Sequence, residues 1–505
     1  MADRSRRGLL GVLAAAGVAG AARAQPRDGV TIAWPCDVPA WDPHWRFTPD
    51  AQPLFKMVFD QPLDQDSRLS LVPGLVRAWK LAEDARSLEL ELREDVRFHD
   101  GSRMSSADFR WSFFERIQAG HRLDTARSWR KVVDIETPSA ARAIMRFDRP
   151  APTAPAWLAF MGSFVVPKGT MARVGPAGFA ARPVGSGPYR LVEYQANARI
   201  VLERNAAYWG PRPALRRITV EIIKDSAARV EAVQAGRVDL AVAVPVRAAQ
   251  RMGAMPALAA EVSAISRVVL LQLRHDAGFA ERDVRLAAHH AIDKRALSQA
   301  FQGGMAAVLS VPAVPGSAGG VEDFTFPHDP GIALRLLEQA GYSTAAPARI
   351  RLGTTSGQFA DDDAMARAIV AMWRKVGIAA ELEVIDYARY VELSRANRLP
   401  EATLSAFDNA IGDPETGIGT LLNPGLPFSP WKDMALGQRA AELFDEPGEA
   451  ARLAGWRALS REAVASGACM PLLQGVQTVV RRRGLGYRPY GNGWVLPQTM
   501  DWLAA

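Results

Sequence analysis

The feature that most restricts what this chain can become is a change of hydrophobic rhythm near Arg267. Upstream of it the sequence alternates with period two. In residues 87–98, Leu88, Leu90 and Leu92 fall on one side while Glu89, Glu91 and Arg93 fall on the other, which predicts a half-buried antiparallel strand. Val96-Arg97-Phe98 repeats the alternation, and His99-Asp100-Gly101 reads as a turn, not as an acid–base pair. Ser105-Ser106-Ala107-Asp108 fits a capping box, and Phe109, Phe113 and Ile117 then share one helix face. Further strands are expected at 30–34, 190–194, 200–203 and 218–223, with a helix over 226–235 stopped by Gly236.

Downstream of Arg267, strands and helices take turns. An apolar strand over 268–273 precedes a helical stripe of Val284, Ala287, Ala288, Ala291 and Ile292, with Asp283 as its cap. Helices near 332–340 and 363–376 stop at Gly341 and Gly377. A strand at 380–384, helices near 387–396 and 449–466, and a strand at 478–480 follow. Such alternation predicts an α/β lobe. The length of 505 residues allows roughly two or three domains, and no internal repeat is visible.

Composition narrows the class. The chain is 48% hydrophobic and 23% charged, so it can bury large cores. Of its formal charge of +7, the first 24 residues hold +3 (four arginines against Asp3), which leaves 7 − 3 = +4 for the rest. No run of five basic residues exists, so no nucleic-acid footprint is present, and Arg481-Arg482-Arg483 reads as a solvated turn.

Residues 1–24 read as an export signal of twin-arginine type. Arg6-Arg7 precedes a weakly apolar stretch, and Ala22-Arg23-Ala24 forms the small-x-small cleavage pattern. No Cys lies near that point, so no lipid anchor is expected. No later apolar run approaches ~18 residues, so a soluble exported protein is expected. The two cysteines, Cys36 and Cys469, read as isolated buried thiols and form no CxxC.

Catalytic signatures are missing. The chain has no GxSxG, no GxxxxGK loop, no dinucleotide fingerprint and no HExxH, and His289 and His290 point away from one another on a helix. No enzyme activity and no cofactor are expected. Among the 13 Trp, Trp34, Trp41, Trp45 and Trp494 sit in irregular, polar or Gly/Pro-rich surroundings, where rigid rings can wall a ligand cleft as well as fill a core.

Taken in order, a set of short segments resembles the family of extracellular solute-binding proteins that includes dipeptide-, oligopeptide- and nickel-binding proteins. These are Leu71-Val72-Pro73-Gly74-Leu75 with Ala78-Trp79-Lys80, then Val96-Arg97-Phe98-His99-Asp100-Gly101 with Ser106-Ala107-Asp108. Gly185-Ser186-Gly187-Pro188-Tyr189, Leu202-Glu203-Arg204-Asn205, Tyr208-Trp209-Gly210 and Gln234-Ala235-Gly236-Arg237-Val238-Asp239 follow. Asp283-Val284-Arg285, Ala291-Ile292-Asp293-Lys294 and Leu336-Leu337-Glu338-Gln339-Ala340-Gly341-Tyr342 complete the set.

The resemblance implies an α/β periplasmic-binding-protein fold of two hinged lobes. Lobe I would span 25–266, with a small subdomain inserted at about 51–180. Lobe II would span 267–475, and 476–505 would return to lobe I. It also implies a monomeric, non-catalytic periplasmic receptor that closes on a peptide, peptide-like or acidic small molecule and delivers it to an ABC permease in the inner membrane. A periplasmic hydrolase and a ligand-binding sensory adaptor are the alternatives on the same fold.

Peptide binders of the family carry an aromatic residue, an Asp three positions on and a Pro four beyond that. Here the loop reads Phe407-Asp408-Asn409-Ala410-Ile411-Gly412-Asp413-Pro414, so Ala410 stands where the ammonium-binding Asp is expected. Arg274 replaces the Asn that relatives more often have, and an arginine facing the cleft would favour a carboxylate or phosphate. The candidate ligand residues are therefore Trp34, Arg274, Phe407, Asp408, Asn409, Ala410 and Trp494. His44 and His275 are the residues that could assist a metal chelate.

Overall fold

The computed structural model describes residues 28–46, 48–120, 123–274, 277–356, 358–409, 411–426 and 429–503. The export signal expected over 1–24, Ala410 and His275 lie outside these residues.

A ten-stranded sheet runs through the molecule. From one edge its order is Ile378–Asp386, Ala348–Ser356, Ala402–Asp408, Leu258–Leu273, Met470–Arg482, Leu240–Val242, Gly29–Trp34, Arg217–Ile222, Arg199–Arg204 and Tyr189–Gln195. The two central strands are long and antiparallel, and each serves both halves. Leu258–Leu273 pairs with Met470–Arg482 along its length and with Ala402–Asp408 near its end, while Met470–Arg482 also pairs with Leu240–Val242.

Separate cores pack on the two halves. Phe55, Phe59, Phe164, Phe179 and Tyr189 fill one, and Phe279, Ile369 and Trp373 fill the other. The change of rhythm at Arg267 thus coincides with the point where the chain passes from one core to the other.

A four-stranded antiparallel sheet, Val76–Leu81, Ser87–Leu92, Arg142–Phe147 and Val132–Ser139, carries its own core of Leu88, Leu90, Phe109, Phe113 and Met145. The sequence alternation reappears in space, with Leu88, Leu90 and Leu92 buried and Glu89 and Glu91 exposed. Asp108 accepts the Ser105 N–H at 3.0 Å, as the capping box requires. The helix it starts widens to a π-helical turn over Trp111–Glu115, which periodicity did not foretell. Asp283 is not a cap, since the helix Arg282–His290 begins one residue earlier.

Three of the segments that carried the resemblance, those around His99, Ser186 and Trp209, meet at one packed corner. Gly185 and Gly187 lie against the backbone of Val58, where a Cβ on Gly185 would sit 1.9 Å from the Val58 carbonyl oxygen. Between them Ser186 Oγ donates to Asp60 at 2.9 Å, and Trp209 Nε1 (2.8 Å) and Tyr208 Oη (3.2 Å) donate to the same carboxylate. His99 Nε2 lies 3.0 Å from Gly187 O, and burial pushes its pKa down to about 4, so the ring is a neutral strut. Asp100 accepts from Ser102 and Thr170. His99 and Asp100 are turn chemistry.

The register of the two long strands shifts between Ala264 and Val268. Arg267 emerges at this irregularity, and Gly475 opposite leaves it room, since a Cβ there would lie 2.7 Å from Arg267 Cβ. Its guanidinium grips the cross-strand neighbour Asp408 with two bonds, Nε–Oδ1 at 2.6 Å and Nη2–Oδ2 at 3.1 Å. Both side chains are largely withdrawn from water, at 14% and 11% exposure.

Two consequences can be measured by urea denaturation. Gly185→Ala is expected to cost about 3 kcal/mol, because a side chain there must displace backbone; a loss within experimental error would show that the corner can yield. Asp408→Ala is expected to cost about 3 kcal/mol by leaving Arg267 without its counter-charge, while the double replacement Arg267→Met with Asp408→Leu should recover most of it. Additive losses in that cycle would mean that the two side chains act independently.

Candidate ligand cleft

A cleft opens where the two long strands cross between the halves, and it has two chambers. The outer one is about 630 Å³ and the inner one about 740 Å³. They meet at Thr48, Pro49, Asp50, Arg267, Gln358 and Asp408, which line both. Gln358 is fixed there because its side-chain amide bonds both the N–H and the C=O of Ala406, each at 3.1 Å.

The outer chamber is walled by Trp129, Trp157, Phe160 and Met161 from the four-stranded subdomain, and by Tyr390, Phe407 and Phe444 from the opposite half. Polar contacts cross between these walls. Lys131 Nζ reaches Asp445 Oδ1 and Phe444 O at 2.8 Å. Arg395 Nη2 reaches Asp124 at 2.9 Å.

Glu415 accepts from Thr153 Oγ1 at 2.6 Å and from Trp157 Nε1 at 3.0 Å, and burial raises its pKa. Asp124 is shared, because Arg127 also lies 3.8 Å from it. Asp124 thus stands between two guanidinium groups, and all three residues line the outer chamber. Burial and the neighbouring Arg395 together pull the Arg127 pKa down, the direction expected where cations crowd.

The inner chamber is lined by Trp34, Cys36, Arg229, Phe301, Phe359 and Trp494 among others. Arg229 is buried and spends its guanidinium on the carbonyls of Ile223, Lys224, Val242 and Ala243. Trp34 Nε1 donates to the backbone oxygen of Asp50 at 3.0 Å. Lys56 Nζ stands 5.4 Å from the Trp494 ring and bonds Gln61 and Asp64. Burial pushes the Cys36 thiol up, so it stays protonated and inert. Cys36 and Cys469 are both free, and Cys469 sits in the core beside Trp456.

The candidate residues from sequence divide as follows. Trp34 and Trp494 line the inner chamber, Phe407 the outer one, and Asp408 the junction. Asn409 accepts from Thr416 Oγ1 at 3.1 Å and lines neither chamber. Arg274 also lines neither; its Nη1 donates to Leu399 O at 3.1 Å and its N–H to Glu401 O. His44 is buried in the first half, bonded to Phe164 O at 2.8 Å beside the Asp42–Arg116 ion pair, and its pKa falls to about 4. Trp41 is core, while Trp45 is exposed beneath Arg46.

Sequence reading missed Asp50, Arg127, Arg267, Arg395 and Glu415. Only Arg267 offered a signal, as a charge opening an apolar strand. Among the described residues no group of His, Cys, Asp and Glu is arranged to hold a metal ion, and no helix is long and apolar enough to cross a membrane.

Comparison with known proteins agrees with this architecture. The family model for bacterial extracellular solute-binding proteins, family 5, matches residues 70–426. The nickel-binding periplasmic protein of Escherichia coli K12 is 28% identical over 419 residues, covering 77% of this chain and 78% of its own. The dipeptide-binding protein of the same organism is 24% identical over 403 residues, covering 72% and 73%.

Among solved structures, the periplasmic binding protein DppA of Helicobacter pylori in complex with the peptide STSA superposes with a TM-score of 0.85 at 20% identity, covering 95% of this chain and 99% of its own. NikA of Brucella suis in complex with Fe(III)-EDTA gives 0.82 at 21% identity, covering 94% and 99%. The fold is therefore the mixed α/β periplasmic-binding-protein fold. The chain belongs to the bacterial extracellular solute-binding proteins, family 5, the non-catalytic substrate-binding components of ABC importers.

Proposed function

We propose that this chain is exported to the periplasm, captures a small peptide or peptide-like acid in the outer chamber and carries it to an ABC permease in the inner membrane. The observation that carries this reading is Asp124 shared between Arg127 and Arg395. It puts two guanidinium groups, one from each half, beside an aromatic wall. A ligand carboxylate placed there meets guanidinium donors from both walls and can take charge-assisted bonds from them. The rings of Trp129, Trp157 and Phe407 suit the apolar body of a peptide-sized solute.

Because the two walls come from opposite halves, such a ligand binds the closed arrangement better than an open one. That difference in affinity is what shifts the population toward closure. The relatives support a range of cargoes by their names, which include a heme-binding protein and a glutathione-binding protein as well as peptide and nickel binders. The carboxylate-facing arginines favour the peptide-like acids within that range.

The test is a thermal-shift screen of protein unfolded and refolded to strip co-purified solute. The panel holds peptides of two to five residues, their C-terminal amides, opines, sugar phosphates and nickel chelates. A true ligand at a hundred times its Kd should add ~2.7 kcal/mol of stability. Peptides with a free carboxylate should bind, their amides should bind more weakly, and Arg127→Ala should weaken the acid about tenfold. Equal stabilisation by acid and amide would overturn the reading.

A further inference from the structure

The two walls of the outer chamber are bonded to one another through Glu415. This residue lies in the short turn Pro414–Thr416 on one half, and its carboxylate accepts from Thr153 and Trp157 on the other. Its own half holds its backbone on both sides. Asp413 Oδ1 accepts the Glu415 N–H at 3.0 Å, and the Glu415 carbonyl accepts from Thr420 Oγ1 at 3.3 Å. The carboxylate therefore stays with its own half when the walls part. Beside it the halves share apolar packing, in which Phe160 and Met161 meet Ile411 and Trp494. Glu415 is left 8% exposed, so parting the walls returns a buried carboxylate to water.

The charged groups around it are committed elsewhere. Lys131, facing it from the opposite wall, has its three N–H donors taken by Pro150 O, Phe444 O and Asp445, and Asp445 is shared with Arg149. Arg452, on the helix Glu449–Ala465, is paired with Asp413. Among the described residues, both donors to Glu415 are neutral, a hydroxyl and an indole. Burial raises the Glu415 pKa above its ordinary 4.5, the bond from Thr153 lowers it, and the charge of Asp413 adds to the rise.

The geometry also accepts a proton. Thr153 Oγ1 lies 2.6 Å from Glu415 Oε2, and a hydroxyl can either donate or accept. In protonated Glu415 the O–H donates to Thr153 Oγ1, while Trp157 Nε1 goes on donating to Oε1. Both bonds between the walls survive, and the buried charge is gone.

We propose that Glu415 takes up a proton from the medium as the walls close on the ligand, which couples capture to acidity through a residue the ligand need not touch. This rests on the reading of the outer chamber as the ligand site and adds a regulation to it. The sign follows from burial. With the walls apart Glu415 meets water and titrates in the ordinary carboxylate range; with the walls together it titrates higher. The closed arrangement thus holds more protons. Closure is favoured as pH falls through the higher value and levels off below the ordinary one. Glu415 is a positioning residue in this scheme, acting through the approach of the two walls.

The experiment measures binding of Ala-Ala-Ala to the refolded full chain by calorimetry between pH 5 and pH 6.5. Buffers of different ionisation enthalpy count the protons taken up. The peptide termini titrate outside that range, and no histidine lines either chamber. The wild type is expected to take up protons and to bind about threefold or more tightly at pH 5 than at pH 6.5. Glu415→Gln keeps both bonds without the charge, so at pH 6.5 it should bind as tightly as the wild type at pH 5, with no uptake. Trp157→Phe removes a donor that the charged form needs more, so its uptake should move to higher pH. A merely structural loss would weaken binding alike at every pH.

Binding without proton uptake in the wild type overturns the inference, while the carboxylate reading stands on its own acid-to-amide ratio. Uptake that persists in Glu415→Gln puts the proton on another group and overturns it as well. If the peptide does not bind, the ligand reading fails and small-angle X-ray scattering of the ligand-free chain decides. The inference then stands if the wild type grows more compact on acidification while Glu415→Gln is compact throughout, and it falls if the two scatter alike.

Discussion

The pair formed by Arg267 and Asp408 lies where the two halves of the molecule meet. It sits where the register of the two long strands slips, where Gly475 removes the side chain that would collide, and where the two chambers of the cleft meet. An arginine in a sheet at a water-poor site needs a carboxylate directly opposite, and the cross-strand pairing supplies one. Without that match the strand irregularity would carry an unpaired cation into the floor of the cleft. With it, the floor is electrically neutral, and the charges on either side of it set the character of each chamber.

The contacts between the walls are individually weak, which suits a protein that must release what it binds. Lys131–Asp445, Arg149–Asp445 and Arg395–Asp124 are ion pairs at partly exposed sites, each contributing about 0–1 kcal/mol. Glu415 works in the other direction. Its bonds from Thr153 and Trp157 join the walls, yet burial of its carboxylate raises its pKa and opposes the charged form. Attraction and desolvation therefore oppose one another between the two walls.

Much of the fold was legible in the sequence because it rests on local rules. The alternation of residues 87–92, the capping box at Ser105 and the glycine stops at Gly236, Gly341 and Gly377 each act within one or two turns of chain. The π-helical turn at Trp111–Glu115 was not legible, since the spacing of Phe109, Phe113 and Ile117 is that of an ordinary helix face. Three of the ordered motifs, those around His99, Ser186 and Trp209, form a structural corner around Asp60 whose residues line neither chamber. The cleft itself is assembled from residues distant in sequence. Arg127 and Arg395 share one carboxylate across 268 positions, and nothing at either position announces the other.

Arg274 and Asp50 illustrate the same limit from opposite sides. Arg274 drew notice because it departs from a local pattern, yet its guanidinium is directed at the Leu399 carbonyl, beyond both chambers. Asp50 drew none, lying in a Pro-rich stretch where an aspartate is ordinary turn chemistry. Its character comes from what surrounds it: a neutral pair at Arg267 and Asp408, a guanidinium at Arg229 already spent on carbonyls, and an indole that fixes its backbone. A carboxylate's role is set by whether its neighbours have donors left to give it, and that count exists only after the chain has folded. The field that a solute meets is the sum over both walls and not the property of one loop.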